Sequence, residues 1–223
     1  MKKVLYVLIA CEESQAECEA FRALGHIAYS CDLQPCRKGG HPEWHIQQDV
    51  TPYLDGCAQF VTQSGAQVAV PGWDLIIAHP PCTYLSKVGS PWLYYNRDLF
   101  ISRQREILFV NAERFNQMCL ARLFFFRCLN AKAPFVAVEN PIPMALADLP
   151  RSTCYACPSW FGVKYTKKTL YWLRNLPPIM AAVDYPDARS FVNSSRGKYR
   201  SRTFPQLAAA IARQWSEYVQ THL

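Results

Sequence analysis

The apolar run Leu75–Ala78, followed at once by His-Pro-Pro-Cys at 79–82, constrains the fold more than any other stretch. A short apolar run between Asp74 and a pair of prolines is typical of a buried strand. Each proline fixes its own φ and disfavours helix in the residue before it. We therefore expect Cys82 in an extended, well-fixed turn at the carboxyl end of a strand, the edge at which open α/β sheets bind ligands. Free cysteines are often merely buried, but this placement favours a nucleophile.

The first 32 residues predict a strand, a helix and a second strand. Residues 4–10 form an apolar run that indicates a buried parallel strand. After a polar turn at 11–15, Ser14 would cap a helix with Glu17 completing a capping box, and Gly25 would end it. A strand at 27–31 then leads to Asp32, placed where nucleotide-binding folds hydrogen-bond a ribose hydroxyl. The turn has no glycine for close approach to a pyrophosphate, which a ligand without phosphates, such as S-adenosylmethionine (SAM), does not require.

The rest of the chain continues the α/β pattern. We predict a loop at 34–48 with Asp49 near the same sheet edge, a loop at 83–98, one or two helices within 101–129, a strand at 135–138 ending in Glu139, a strand at 167–173 and a helix at 204–220. Residues 65–70 fit a short strand or an insertion. No repeat or linker divides the chain, so we expect a single domain over 1–223, with 151–223 packing back on the core.

The composition narrows the class of protein. A net charge of +7 fits an anionic partner, although many ordinary proteins share it. Ten scattered cysteines favour reduced thiols in a cytoplasmic protein over a disulfide framework. Cys154 and Cys157 lack two further ligands at suitable spacing, so we expect no metal. The apolar residues after Met1 fit a first strand better than a signal peptide. Five basic residues within 184–203 fit either a phosphate-contacting loop or a solvated surface: Arg189, Arg196, Lys198, Arg200 and Arg202.

These pieces, in this order, resemble the cytosine-C5 DNA methyltransferase superfamily, as a short phage- or prophage-type member without a target-recognition domain. By that resemblance Cys82 is the nucleophile, Ser86 is the serine four residues later, and Glu139 and Asn140 are the Glu-Asn pair. The resemblance places cofactor-binding residues in the first turn, at two strand ends, in the Pro-Pro-Cys motif and, loosely, near the C-terminus: Cys11, Glu12, Glu13, Ser14, Asp32, Asp49, Pro80, Asn193 and Ser194.

The resemblance implies a Rossmann-like SAM-dependent methyltransferase fold, SAM as cofactor and methyl transfer to cytosine C5 through a Cys82 adduct. It also implies a lowered pKa for Cys82 and a raised pKa for Glu139. Three features depart from the family: the glycine-free first turn, the missing Gln-x-Arg-x-Arg motif, and too few residues for target recognition. The expected partner is DNA or a cytosine nucleotide, with a protein partner that could supply recognition, and no membrane. A transferase acting on the free nucleotide and a non-catalytic nucleic-acid-binding protein remain the alternatives.

Overall fold

The computed structural model describes residues 3–102, 108–183, 188–190 and 203–223. The strands are β1 (Tyr6–Ala10), β2 (Ile27–Cys31), β3 (His45–Ile46), β4 (Gln59–Val61), β5 (Gln67–Ala69), β6 (Leu75–Ala78), β7 (Phe135–Asn140), β8 (Cys154–Ala156), β9 (Tyr165–Thr166), β10 (Thr169–Arg174) and β11 (Arg189–Ser190). The α-helices are α1 (Ala16–Ala23), α2 (Thr51–Leu54), α3 (Arg97–Ser102), α4 (Ala112–Leu129) and α5 (Pro205–His222). Short 3₁₀ helices lie at Pro42–Trp44, Lys87–Leu93, Ala145–Ala147 and Pro158–Phe161.

Seven strands form one sheet in the order β3-β2-β1-β6-β7-β10-β8. The first five are parallel, and β10 is antiparallel to both of its neighbours. Strand β6 lies at the centre, and all its residues are buried, as predicted for 75–78. This confirms the α/β fold with a mostly parallel sheet flanked by helices. The chain moves outward from β1 to β3 and then returns to β6, so the strand order reverses between β1 and β6, where such sheets bind ligands.

Helices cover both faces of the sheet because alternate strand residues point to opposite faces. On one face, Leu8 and Ile76 share a core with Met118 and Phe125 of α4. On the other face, the neighbouring strand residues pack against Phe21 of α1 and against α5. No helix among the described residues is both long and apolar enough to cross a membrane.

Several predicted elements are confirmed and others need correction. Strand β2 and the start of α5 within 204–220 lie where predicted, and Gly25 follows α1 with φ of +84°. Residues 65–70 contain β5, which pairs with β4 as a hairpin. The predicted loop at 34–48 also holds a 3₁₀ turn and β3. The predicted loop at 83–98 holds the 3₁₀ helix Lys87–Leu93 and the start of α3, and α4 occupies most of the predicted helical region at 101–129.

The predicted capping box at the start of α1 is wrong. The N-cap position is occupied by Gln15, whose side chain makes no capping hydrogen bond. Instead, the Glu12 carboxylate accepts the N–H of Glu17 (2.8 Å) and of Cys18 (3.3 Å). A carboxylate is well suited to this position because it satisfies unpaired N–H groups and opposes the positive end of the helix dipole.

Arg174, at the end of β10, anchors the entrance to β7. Its Nη1 donates to the carbonyl of Leu129 (3.3 Å), and its Nη2 donates to the carbonyls of Ala131 (2.5 Å) and Ala133 (2.6 Å). One guanidinium thus satisfies three carbonyls between the last residue of α4 and the start of β7, which its fork of donors makes possible.

Candidate active site

The strand register brings the ends of β1, β2 and β6 to one level with Val138, near the end of β7, at the carboxyl edge of the sheet. Ala10 pairs with Cys31 and with Ala78, and Ala78 pairs with Val138. The residues that follow these four positions therefore lie side by side along the edge: Cys11, Asp32, His79 and Glu139. Three separately predicted motifs thus meet where an open α/β sheet binds its ligands.

The turn that carries Cys82 is fastened to the end of β7. Asn140 is fully buried, and its Nδ2 donates to the carbonyl of Pro80 (2.9 Å). The Cys82 carbonyl accepts the N–H groups of Leu85 (3.1 Å) and Ser86 (2.9 Å), which closes the turn. The Cys82 side chain remains half-buried at this edge. Asn140 therefore positions the nucleophile candidate through the backbone of its loop.

Ser86 joins the same turn to the segment beyond β7. It forms an isolated antiparallel bridge with Pro143, and the neighbouring N–H of Lys87 donates to the carbonyl of Ile142 (2.8 Å). In this arrangement Ser86 supports the Cys82 loop by its backbone.

His79 connects Glu139 to helix α1. Its Nδ1 lies 3.2 Å from Oε2 of Glu139, and its Nε2 lies 3.2 Å from Oε2 of Glu17. Burial opposes a charge on His79, but the two carboxylates outweigh burial and raise its pKa well above the ordinary value. Burial likewise opposes the charge on Glu139, but the hydrogen bond and charge of His79, with the charge of Lys167, hold the pKa of Glu139 below its ordinary value. The expected raised pKa of Glu139 is therefore wrong for the free protein.

The Cys82 thiol also differs from expectation. Burial and the nearby charge of Glu139 raise its pKa, and the charge of Lys167 offsets only part of this. The expected lowered pKa is therefore wrong for the free protein, in which Cys82 is a thiol at neutral pH.

The turn between β1 and α1 contains no glycine, yet two of its residues adopt the left-handed backbone conformation that glycine usually supplies. Cys11 (φ of 60°) and Gln15 (φ of 59°) both adopt the left-handed conformation, which costs a non-glycine residue about 1–2 kcal/mol. Gln15 is fully buried and ties down the next loop, because its Oε1 accepts the N–H of His41 (2.7 Å) and its Nε2 donates to the carbonyl of His41 (2.9 Å). Strained residues of this kind concentrate at functional sites.

The other residues predicted in this turn have different positions. Burial and the charge of Glu17 raise the pKa of Glu12 from 4.5 to about 7. Ser14 donates its hydroxyl to Glu12 Oε1 (3.3 Å), and the carbonyl of Glu13 accepts the N–H of Arg37 (2.9 Å). Burial and the neighbouring Cys128 raise the pKa of Cys11 well above its ordinary value, so its thiol stays protonated.

Asp32 and Asp49 lie at the β2–β3 end of the edge and bond locally. Oδ1 of Asp32 accepts the N–H of Gln34 (2.8 Å), and Oδ1 of Asp49 accepts the N–H of Thr51 (2.9 Å). Neither carboxylate contacts the His79 network through any hydrogen bond among the described residues. Asn193 and Ser194, together with Arg196, Lys198, Arg200 and Arg202, lie outside the described residues.

Sequence patterns predict no role for His79 or Gln15, and they predict Glu17 as part of a capping box. A signal for His79 was available, because it stands directly between a strand and the Pro-Pro-Cys motif. No comparable signal marks Glu17, whose helical position resembles that of any first-turn acid. Within the described residues, no three His, Cys, Asp or Glu side chains are grouped to hold a metal ion.

Neither a protein-family model nor a curated protein sequence matches the chain. Among solved structures, it is similar to a protein described as a DNA modification methyltransferase encoded within an E. coli prophage, at 14% identity and a TM-score of 0.41. That similarity covers 76% of this chain but only 46% of the other, so the chain spans less than half the length of that protein. A similarity of this size identifies neither a family nor an activity.

Proposed function

We propose that this protein is a SAM-dependent methyltransferase that acts on C5 of cytosine, in DNA, through a covalent adduct with Cys82. One observation carries the proposal: the Pro80-Pro81-Cys82 turn is bonded by Asn140 to the strand end that bears Glu139. A half-buried thiol and a carboxyl group from neighbouring parallel strands thus share one edge. This is the pair of groups that attack at cytosine C6 and protonation at N3 require.

The chemistry divides one difficult step into easier ones. Cytosine C5 is a weak nucleophile, and a bond from Cys82 Sγ to C6 moves electron density toward C5. A proton donated by the Glu139 carboxyl group to ring N3 relieves the charge that develops on the base. Because Cys82 is a thiol in the free protein, its S–H bond breaks in the substrate complex, and the proton passes to solvent from this half-buried position. The neighbouring Lys167 favours the thiolate that remains.

The first turn suits a cofactor without phosphates. In dinucleotide-binding folds the first N–H groups of the helix bind phosphate, but here Glu12 already occupies the N–H groups of Glu17 and Cys18. A carboxylate at this position favours the positively charged sulfonium and ammonium groups of SAM over a pyrophosphate. Asp32 would accept a ribose hydroxyl, and Asp49 would lie on the adenine side. When bound, SAM supplies an electrophilic methyl group.

The test is covalent trapping on a 5-fluorocytosine oligonucleotide in the presence of SAM, followed by mass spectrometry of the adduct. Fluorine at C5 blocks the final elimination, so we expect the wild type to retain the oligonucleotide on the peptide that contains Cys82. Cys82→Ala should form no adduct, whereas Cys57→Ala, which removes an exposed thiol elsewhere, should behave as wild type. Adduct formation by Cys82→Ala would refute the assignment of Cys82 as the nucleophile.

The form of the substrate needs a separate comparison. Methyl transfer is measured on random-sequence duplex, single-stranded DNA and dCMP at equal cytosine concentration. The basic charge of the chain favours DNA, and transfer to DNA should then weaken steeply as salt rises. Turnover on dCMP alone would establish the nucleotide alternative, and DNA binding without any transfer would establish the non-catalytic one.

A further inference from the structure

His79 is enclosed by acceptors on both sides. Each of its ring nitrogens faces a carboxylate oxygen at 3.2 Å, from Glu17 of α1 and from Glu139 of β7. Carboxylates only accept hydrogen bonds, so the ring satisfies both contacts when both nitrogens carry a proton. The side chain of Glu17 is fully buried, and that of His79 is only 13% exposed, so water contributes little to these contacts.

His45 provides an internal contrast. It is fully buried and also has both ring nitrogens paired, with the hydroxyl of Ser30 (2.8 Å) and the carbonyl of Gln34 (2.9 Å). Neither partner carries a charge, and burial lowers the pKa of His45. Two buried histidines at one end of the same sheet thus differ chiefly in the charge of their partners.

We propose that His79 is a positioning residue that stores the proton Glu139 delivers to the base; this rests on the proposed function. In the free protein the proton is on Nδ1 of His79 and Glu139 is a carboxylate. When charge develops on the cytosine, the Nδ1–H bond breaks and an O–H bond forms on Glu139, leaving a neutral imidazole and a neutral carboxylic acid. Glu139 then gives that proton to N3 as the Sγ–C6 bond forms. The proton returns along the same route when Cys82 departs.

The surrounding charges favour this arrangement. Glu12 faces the pair from the first turn, Tyr171 of β10 lies near both carboxylates, and Lys167 lies near Glu139. The Glu17 carboxyl group stays within hydrogen-bonding distance of Nε2 of His79 and its charge raises the pKa of His79, so the imidazole regains its proton readily after transfer. Oε1 of Glu17 has no hydrogen-bond partner in the part of the chain that the structure describes, and this buried charge is balanced chiefly by His79.

Two measurements test the proposal. In ¹⁵N-histidine-labelled, substrate-free protein at pH 7.5–8 (roughly one unit or more above the ordinary histidine pKa), the His79 ring should give the signature of a doubly protonated imidazolium, while His45 reads as neutral. His79→Gln identifies the signal. A neutral His79 in this spectrum overturns the proposal, whatever the protein catalyses.

The second measurement is the pH profile of kcat/KM for methyl transfer. His79→Gln should lower the rate roughly 10²-fold and move the alkaline limb to lower pH, because the proton is then held by Glu139 alone. A purely structural role would lower the rate without moving that limb. His26→Gln, which alters another buried histidine at the opposite end of the sheet, should leave the profile in place. A wild-type rate in His79→Gln overturns the inference alone, whereas a wild type that forms no adduct overturns the proposed function and this role with it.

Discussion

Asn140 and Asp32 both lie at strand ends along the same sheet edge, yet the Asn140 side chain hydrogen-bonds a distant segment and the Asp32 side chain a neighbouring residue. Asn140 reaches a carbonyl 60 positions away in the chain, at Pro80. Asp32 bonds the N–H of Gln34, two residues on, and Asp49 bonds Thr51 in the same manner. The β6–β7 half of the edge is therefore built from buried bonds between distant segments, and the β2–β3 half from local turns. The first half is therefore held in place by the fold itself, as the proposed chemistry would require, and the second half presents the acids proposed to contact the cofactor.

The largest effect that tests this division of roles is expected for Glu139→Gln. If the β6–β7 half performs the chemistry, methyl transfer should fall by roughly 10²- to 10⁴-fold while SAM affinity stays near wild type. Transfer rates and calorimetric SAM titrations provide the two readings. Glu113→Gln, at an exposed position in the first turn of α4, is the matched control. A loss of SAM affinity as large as the loss of rate would contradict the division.

Asp32→Ala tests the other half. Leaving ribose hydroxyls unpaired should weaken SAM binding by roughly 1–3 kcal/mol, with a smaller effect on transfer at saturating SAM. Asp32→Asn retains an acceptor for the Gln34 N–H and separates loss of the turn from loss of the ligand contact. Asp55→Ala, whose carboxylate pairs with Arg127 instead, should bind SAM as wild type does. Unchanged affinity in Asp32→Ala would remove Asp32 from the cofactor site.

Two glycines sharpen the comparison because each permits a close approach in one half. A Cβ at Gly89 would lie 2.8 Å from the carbonyl oxygen of Thr83, and one at Gly40 would lie 2.5 Å from Oε1 of Gln15. Each alanine variant should therefore cost about 1–3 kcal/mol of stability. Gly89→Ala should slow transfer at saturating SAM, whereas Gly40→Ala should raise the SAM dissociation constant. Chemical denaturation measures the loss of stability, and steady-state kinetics measure the transfer rate and the SAM dependence. Weaker SAM binding in Gly89→Ala, or slower transfer at saturating SAM in Gly40→Ala, would contradict the division.

The two halves should also differ in the pH dependence of stability. Because the folded pKa of Glu12 is about 7 and its unfolded value is 4.5, the folded protein binds more protons between these values. Stability should therefore fall as pH rises from 4.5 to about 7, by at most about 1.4 kcal/mol per pH unit. The raised pKa of His79 adds a contribution of the same sign above pH 6.5.

The β2–β3 half has the opposite sign. The N–H of Thr51 holds the pKa of Asp49 below 3.8, so its contribution is present above that pH and is lost as pH falls. Urea denaturation at intervals from pH 4.5 to 8 measures the contribution of Glu12, whereas that of Asp49 lies below this range. Glu12→Gln should flatten the slope below pH 7, whereas Asp49→Asn should leave it unchanged. A wild-type slope in Glu12→Gln would show that Glu12 does not hold the extra proton.

The contrast also explains how much of the site could be predicted from the sequence. The strand before Pro80 follows from a short apolar run that ends at a pair of prolines, which is typical of a strand buried on both faces of a sheet. Asp32 was placed correctly at a strand end, because that position follows from local pattern alone. The partners of His79 could not be read in this way. They depend on the parallel register of β6 and β7 and on the rotation of α1, which no local pattern encodes.

The predicted pKa directions failed for the same reason. Burial alone would have raised the pKa of Glu139, as expected from its position at the end of an apolar strand. The hydrogen bond from His79 reverses that direction, and it arises only after two distant segments have paired.

Arg174 gives β7 a second anchor, opposite to the one that Asn140 provides. With its entrance held through three carbonyls and its exit bonded to the Pro80 loop, the strand cannot fray from either end. Its amide protons should then exchange with solvent only through global opening, at the rate set by the stability of the whole fold. On heating, the geometry around Cys82 should persist almost to the melting temperature and then disappear in one cooperative step together with the sheet.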